Sequence, residues 1–440
     1  MNLQTLKKLF VDNGCKKVYV KNLAANDNSK NQVYLGGSFE IVNILPLSVI
    51  KNEPAGDWNK ERFKASINFA WIGSDGHLHP APNTQLILYP KYPEVRLSGF
   101  LTRCTNPPSE LMTSRISGRL FFFSVTKSGL VLGYVVAPDS DIAREVNQLR
   151  IVEEHGIFKV IELPQSVDNK KKLLEELYRI HLFGWINSKR LDKNGDILPC
   201  TSPNCGGYTL EAELGIKPNG YSEPDYLGWE VKQFGVSNFS RIYASVITLM
   251  TPEPTHGYYV DQGTEAFIRK YGYEDLTGRV DRMNFGGIHK SGKIHPRTNL
   301  RLELTGFDQK TGKIRNTDGK IMLLDKNNTE AASWSFSSML LHWNRKHNQA
   351  CYVPSLSDTA DGRKYKYGPN VILGTGTDFQ LFLLQMALGN IYYDPGIKME
   401  NASTRPLIKK RSQFRIKSSH LNHLYKTSDI ITLGSFESHI

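Results

Sequence analysis

The chain has 440 residues, 40% hydrophobic and 10% aromatic, which is enough for two or three packed cores and excludes a disordered class. Its formal net charge of +12 favours polyanionic partners, nucleic acid first and anionic membrane second, and leaves a generally basic soluble protein open. No apolar run is long enough to span a bilayer, and the opening "MNLQTLKKLFVDNG" lacks the apolar core of a signal peptide, so the expectation is a cytoplasmic, soluble protein with no membrane partner.

Residues 1–155 read as mostly β. "KKVYVKNLA", "GSFEIVNIL", "TQLILYP", "GRLFFFSVT" and "GLVLGYVVA" are short apolar runs punctuated by Gly, Pro, Asn and Asp, as in a barrel or sandwich. The last two predict a hairpin from Arg119 to Val136. "SDIAREVNQLRIVEE" then has helical spacing. Residues 156–167 hold a short strand and a linker, which sets the domain boundary. From 168 to 440 helices and strands mix as in an α/β or α+β domain around one sheet. "SVDNKKKLLEELYRIHLFGWI" is a helix with Ser166 or Asp168 as its cap, and "GGYTLEAELGI" starts a second. "GWEVKQF", "RIYASVITLM" and "ACYVPSL" read as strands, "LRLELTGFD" and "KIMLLDK" as a strand pair, and "AASWSFSSMLLHWNRKH" and "DFQLFLLQMALGN" as helices. Five cysteines are few and odd in number, which suits a reducing compartment. Cys200 and Cys205 are read as loop thiols, with zinc as a minor alternative.

"SEPDYLGWEVKQ" (222–233) carries the chemistry. On a strand, Glu230 and Lys232 share one face while Trp229 and Val231 take the other. Asp225 has the wrong parity for the same straight strand, and a bend through "YLG" would bring it round, with Gly228 making the bend easy. Two converging carboxylates make a hard-oxygen site for Mg²⁺, and a nearby lysine can orient a water and offset phosphorane charge. The alternative is an ordinary strand with a solvated charged face.

Two basic stretches follow. "RMNFGGIHKSGKIHPRTNLR" (282–301) includes Lys290 and Arg297, and "GIKMENASTRPLIKKRSQFRIK" (396–417) includes Lys410, Arg411, Gln413 and Arg415. Such loops track phosphates, and Arg and Gln can read guanine and adenine edges, with Arg411, Gln413 and Arg415 as candidate base readers. His289 and His295 are read equally as exposed loop residues or as metal or base ligands. The alternative for both stretches is a solvated surface.

"YTLEAELGIKPNGYSEPDYLGWEVKQ" resembles the active-site stretch of the MvaI/BcnI restriction endonucleases, relatives of the mismatch-repair nickase MutH within the PD-(D/E)XK class. In that family a helix glutamate precedes the strand aspartate by the interval that separates Glu211 from Asp225 here, and Glu-x-Lys follows. The short step from Asp225 to Glu230 is closer to MvaI than to MutH. The resemblance implies a MutH-like α/β nuclease domain at 168–440 in which Asp225 and Glu230 hold Mg²⁺. Lys232 would be the catalytic lysine, Glu211 the helix acid and Lys346 a further basic residue near the phosphate, with Arg345 as its substitute. It extends faintly over 168–434, including "ASVITLMTPEPTHG", whose His256 becomes a DNA-contact candidate. The histidine-rich turn expected before the last strand is replaced by "LIKKRSQ".

"VKNLAANDNSKNQVYL" (20–35) resembles the opening of the EcoRII-type effector domain, a DNA-binding pseudobarrel shared with plant B-three transcription factors. By that resemblance 1–155 is an all-β pseudobarrel. One DNA-gripping arm would carry Asn26, Asp27, Lys30, Asn31 and Gln32, and a second would carry Arg96 and Arg103. The combined expectation is a monomeric, Mg²⁺-dependent type II, specifically type IIE, restriction endonuclease. It would cut double-stranded DNA at a short near-palindrome such as CCWGG, stimulated by a second DNA copy on the first domain and paired with a cognate DNA methyltransferase. The alternatives are a MutH-like strand-specific repair nickase and, in another class, a non-catalytic DNA-binding regulator.

Overall fold

The structure is a computed structural model that describes residues 1–25, 32–37, 39–47, 49–53, 61–89, 94–149, 153–163, 168–202, 204–217 and 224–435. The chain divides into two compact units, Met1–Val167 and Asp168–Ile440. No helix among the described residues is long and apolar enough to cross a membrane.

The first unit is β-rich. Its larger sheet has seven strands, with Lys17–Leu23, Arg119–Val125 and Val131–Val136 at the centre. The hairpin expected from Arg119 to Val136 is present as an antiparallel pair. Two helices cover one face of this sheet. Leu3–Asp12 is capped by the Asn2 side chain and Asp141–Gln148 by Ser140. Their buried Leu6, Phe10, Ile142 and Val146 pack with Val18, Val20, Phe122 and Leu132 of the sheet. Strand alternation sends Phe69, Phe121 and Phe123 to the opposite side, where they meet Leu35 and Leu97 of a five-stranded sheet. Arg119 is buried because its guanidinium donates to the carbonyls of Leu111, Ile116 and Ala24.

Among the described residues the two sheets do not close into a barrel; each has free edge strands. The expected pseudobarrel is therefore met only as a β-rich unit. One local reading also differs. "GSFEIVNIL" forms a 3-10 helix at Phe39–Asn43, because Phe39, Ile41 and Val42 bury without strand alternation. The short strand expected within 156–167 is present as Phe158–Glu162, which joins the seven-stranded sheet and pairs with Lys17–Leu23.

In the second unit, helix α1 (Asn169–Leu182) is capped by Asp168, whose side chain accepts from the Lys171 N–H at 2.9 Å. Helix α2 (Cys205–Glu213) follows a loop. The main sheet holds strands β1 (Glu230–Gly235), β2 (Gln349–Asp358), β3 (Asn370–Thr377) and β4 (Tyr425–Thr432), with two short strands at its margin. It is mixed: β1 and β2 run parallel, with Glu230 opposite Ala350 and Lys232 opposite Tyr352, while β2, β3 and β4 pair antiparallel. Leu173, Leu177 and Ile180 of α1 pack with Val231, Cys351 and Leu373 on one face of this sheet. Helix α3 (Phe336–His347) leads directly into β2. The start of the helix expected at "AASWS" is instead a strand, Glu330–Ser335, and Ser335 caps α3.

The two basic stretches meet in one small sheet, where Arg282–Gly286 pairs with Gly396–Glu400 and the latter with Leu407–Lys409. A three-stranded sheet joins Phe414–Lys417 to Val246–Met250 and Ile391–Tyr393.

Cys200 and Cys205 form a disulfide, so they are not the loop thiols expected from the sequence. The chain turns back at Ser202, whose carbonyl accepts from the Cys205 N–H, and Cys205 is the first residue of α2. Their Cα atoms are 5.8 Å apart, within ordinary bridging range.

Gly374 of β3 lies opposite Ala350 and beneath the Tyr425 ring; a Cβ there would come within 2.4 Å of the ring. Gly374→Ala should displace Tyr425 and its 2.7 Å hydroxyl contact with Tyr352. A loss of about 2 kcal/mol is expected, seen as a lower urea midpoint of the full chain at unchanged slope. An unchanged midpoint would show that the ring has room to move.

Candidate active site

The bend required by the parity of Asp225 exists. Leu227 and Gly228 both have positive φ, 51° and 87°. Tyr226 and Trp229 exchange N–H to carbonyl hydrogen bonds of 2.9 and 2.8 Å. This is a two-residue turn of the I′ kind, natural for Gly228 and costing Leu227 about 1–2 kcal/mol. The chain doubles back, and Asp225 Oδ2 accepts the Val231 N–H at 3.2 Å. Trp229 and Val231 enter the core, while Glu230 and Lys232 point the other way.

Glu230 is 2% exposed, and its Oε1 accepts from Lys232 Nζ at 2.8 Å. Its Oε2 is buried with no hydrogen-bond partner. Glu211 arrives from α2, whose backbone lies close against β1: a Cβ on Gly206 would stand 2.8 Å from Gln233 Oε1. Gln233 is itself held by Ser355 at 2.7 Å, and the Gly206 carbonyl accepts from the Tyr367 hydroxyl at 2.7 Å.

Electrostatics bind the group together. Burial pushes the Asp225 carboxyl up to about 7, with repulsion from Glu230 adding to it and Lys232 and Lys346 opposing. Burial also raises Glu211, again with Glu230 adding and Lys232 and Lys346 opposing. Burial acts in the same sense on Glu230, but Lys232 and Lys346 override it and hold that carboxyl below its usual range. Burial opposes the charge of Lys232, yet Glu230, Asp225 and Glu211 keep its ammonium above its usual range. Lys346, on α3, acts on all three acids. Each of the five expected catalytic residues thus interacts electrostatically with others of the set. Arg345's side chain lies outside the described residues.

Of the five, Glu211 and Lys232 line a cleft of about 790 Å³, together with Gln233, Lys410, Arg411, Gln413 and Arg415, while Asp225, Glu230 and Lys346 are not part of its lining. Arg411 is exposed. Gln413 is 4% exposed, with its Oε1 facing the Thr248 hydroxyl at 3.4 Å. Arg415 Nη1 pairs with Asp394 Oδ2 at 2.6 Å, and the Lys410 ammonium sits 5.5 Å from the Tyr259 ring centre. His256, Lys290 and Arg297 are not part of this lining. His256 and Arg297 are exposed; Lys290 and Arg297 lie near the rings of Tyr392 and Tyr273. His289 is buried, bonded to Thr298 at 2.8 Å and stacked on His295 at 4.4 Å. Burial lowers its imidazole to about 3, so it is a packing residue rather than an exposed loop residue.

In the first unit, Arg96 donates to Gln32 across paired strands at 3.1 Å and pairs with Glu94 at 2.8 Å. Arg103 is exposed, in a left-handed conformation. Asn26, Asp27, Lys30 and Asn31 lie outside the described residues. Sequence reasoning missed Asn344 and His347, both fully buried at the end of α3. The signal available was their three-residue spacing beside Lys346, on a helix otherwise read for its apolar face.

Asp225 and Glu230 are the two carboxylates able to hold a divalent cation. No cluster of three His, Cys, Asp or Glu groups fit for a metal occurs among the described residues. Two protein ligands suit Mg²⁺, which retains waters and takes the rest from a phosphate. The unpartnered Glu230 Oε2 and the repulsion that raises Asp225 are what a bound cation would relieve.

The upward shift of Asp225, caused first by burial and then by Glu230, has a sign in stability. The folded pKa of Asp225 lies above its ordinary value, so the folded state holds its proton longer. Its contribution is fully present below about pH 4 and is lost as pH rises through about 7. Asp225→Asn should therefore stabilise the metal-free protein at pH 8 by on the order of 2 kcal/mol, allowing for screening of a half-buried group, and by much less at pH 5. Mg²⁺ should raise the melting temperature of the wild type at pH 8 and leave Asp225→Asn unmoved. Equal melting curves at both pH values would contradict this account.

Residues 174–425 match the model of the MvaI/BcnI restriction endonuclease family. No curated protein matches the chain. Among solved structures, a complex of restriction endonuclease MvaI with its cognate DNA substrate is 18% identical, covering 60% of this chain and 98% of that one at a TM-score of 0.46. MvaI in the absence of DNA is 16% identical over 61% of this chain and 98% of that one, at a TM-score of 0.33. With more than half its length matched by the family model, the chain belongs to the MvaI/BcnI restriction endonuclease family.

Proposed function

We propose that the protein is a Mg²⁺-dependent type II restriction endonuclease that hydrolyses phosphodiester bonds of duplex DNA. The observation that carries this reading is the electrostatic coupling of Asp225, Glu230 and Lys346 with Glu211 and Lys232, two residues that line a cleft also displaying Lys410, Arg411, Gln413 and Arg415. A divalent cation at Asp225 and Glu230 would polarise the scissile phosphate and lower the pKa of an attacking water.

The chain's own residues do the rest. Lys232, fixed by Glu230 Oε1, orients the water and offsets negative charge as its oxygen bonds to phosphorus and the bond to the leaving oxygen breaks. Lys346 adds positive charge from α3. Glu211, a carboxyl with a raised pKa, is a candidate acceptor for the proton that the water loses. Lys410 and Arg411 supply phosphate contacts at the rim, and Arg411, Gln413 and Arg415 are the candidate base readers. Arg415 would act while held by Asp394.

For the first unit the proposal is an effector domain of the pseudobarrel kind, gripping a second DNA copy through Gln32, Arg96, Arg103 and the arm at 26–31. The whole arrangement resembles the restriction enzyme UbaLAI. It makes the protein a type IIE monomer with a near-palindromic site such as CCWGG, and with a cognate DNA methyltransferase as partner in the same system.

Asp225→Asn and Lys232→Ala should each reduce Mg²⁺-dependent plasmid cleavage by at least about a thousandfold while leaving DNA binding in Ca²⁺ within about threefold. Intact cleavage by Asp225→Asn would remove the site from consideration. Wild-type digestion should pass from nicked to linear plasmid; an end point at nicked DNA would favour the repair-nickase alternative. Adding a short duplex bearing the site should accelerate cleavage of a single-site plasmid if the first unit is an effector domain, and Arg96→Ala should blunt that response.

A further inference from the structure

Beneath the Glu230–Lys232 pair lies a layer of polar groups that the proposed chemistry does not use. Most of them are tied off. The Trp343 indole donates to the Thr377 hydroxyl at 3.0 Å, and that hydroxyl to the Leu424 carbonyl at 2.6 Å. Tyr352 and Tyr425 share a 2.7 Å hydroxyl contact. Three side chains remain unsatisfied. Glu230 Oε2, both carboxamide atoms of Asn344 and both ring nitrogens of His347 are buried without a hydrogen-bond partner. Asn344 and His347 are 0% exposed. Buried polar groups are almost always paired, by protein or by ordered water, so three together require a common explanation.

Their placement supplies it. Asn344 and His347 are three residues apart, on one side of the last turn of α3. His347 is fixed in plane by stacking on Trp343 at 4.1 Å. It precedes by three residues Ala350, the β2 residue directly opposite Glu230. Across the sheet from Ala350 lies Gly374. Glu230 thus stands across the ladder from an alanine that follows His347 by three residues, so the end of α3 and the Glu230 side chain are brought to the same stretch of β2. The charges of Lys232 and Glu230 are those His347 feels most, followed by His342 and Lys346. An imidazole that stays neutral carries one N–H donor and one acceptor, and a carboxamide adds two donors. A carboxylate oxygen needs donors.

We propose that His347 and Asn344 are positioning residues for Glu230, the three side chains sharing a buried water through which imidazole and carboxamide N–H groups fix the Oε2 oxygen. A water with three polar partners is ordinary in a protein interior. The arrangement sets the orientation of the carboxylate before a cation arrives, as groups behind metal ligands commonly do. It rests on the reading of Glu230 as a ligand.

The test is Ca²⁺ binding to the full-length protein without DNA, measured by calorimetry at pH 8, so that no turnover is needed. Asp225→Asn should abolish binding; if it does not, the nuclease reading itself fails. His347→Leu should weaken binding at least about tenfold, and His347→Gln, which keeps a donor and an acceptor, should stay within about threefold of wild type. Wild-type affinity in His347→Leu, or an equal loss in His347→Leu and His347→Gln, overturns the proposal while leaving the nuclease reading standing. If His347→Leu does not fold, the same comparison is made with Asn344→Leu and Asn344→Gln, to which the same outcomes apply.

Discussion

One ammonium group, Lys232, stands among three carboxylates in a largely buried setting, and much of the second unit serves to hold it there. Burial favours neutral forms for all four groups. Mutual attraction favours the charged forms of Glu230 and Lys232, while Asp225 is left as the acid least able to ionise. Lys346 adds a second positive charge, and the Asp225 carboxyl, which holds its proton to about pH 7, is the group whose ionisation a further cation would favour. The three elements that deliver these groups are each fixed independently: α2 by close backbone approach to β1, the Leu227–Gly228 turn by paired hydrogen bonds, and α3 by direct continuation into β2. Preorganisation of this kind matters because displacement of a charged group by about 1 Å can cost a hundredfold in rate.

Part of this was legible in the sequence. The alternation in "GWEVKQ" correctly put Trp229 and Val231 in the core and Glu230 and Lys232 on the opposite side, because a half-buried strand has no other way to satisfy those residues. The turn at "YLG" was also legible, although the residue that adopts a left-handed conformation beside Gly228 is a leucine, which no propensity scale suggests. Other features depend on distant partners. The Cys200–Cys205 bridge follows from the turn at Ser202, and five scattered cysteines do not announce it. His289 sits in a run of basic residues yet is buried against Phe285 and His295, because the loop folds over its own ring. Phe39–Asn43 has a composition compatible with either strand or helix, and packing selects the helix.

The basic residues divide in the same way. Local sequence identifies two positively charged stretches but not that they are neighbours. The pairing of Arg282–Gly286 with Gly396–Glu400 makes them parts of one surface. It also separates residues that looked equivalent. Arg411 remains exposed in the cleft lining, Arg415 is committed to Asp394, and Arg297 lies on neither. Charge density in a sequence is thus a poor guide to which cations are available, since ion pairs form with acids far along the chain.

The parallel pairing of β1 with β2 has a consequence for how such a protein can change. Parallel neighbours cannot be joined by a tight turn, so the chain must leave the end of β1 at Gly235 and return to the start of β2 at Gln349 by a long crossover. Apart from α3, that excursion includes Val246–Met250, the stretch around His256 and the first basic segment, whose sheet partners come from the later chain. Strand register fixes Glu230 and Lys232 at the start of β1, whereas the first basic segment is carried by a detour between the two strands. Insertions and substitutions in that detour can change the charged surface it presents without altering the register that aligns Glu230 with Ala350. The strands and the chain between them are in this sense free to vary separately within a single folded unit.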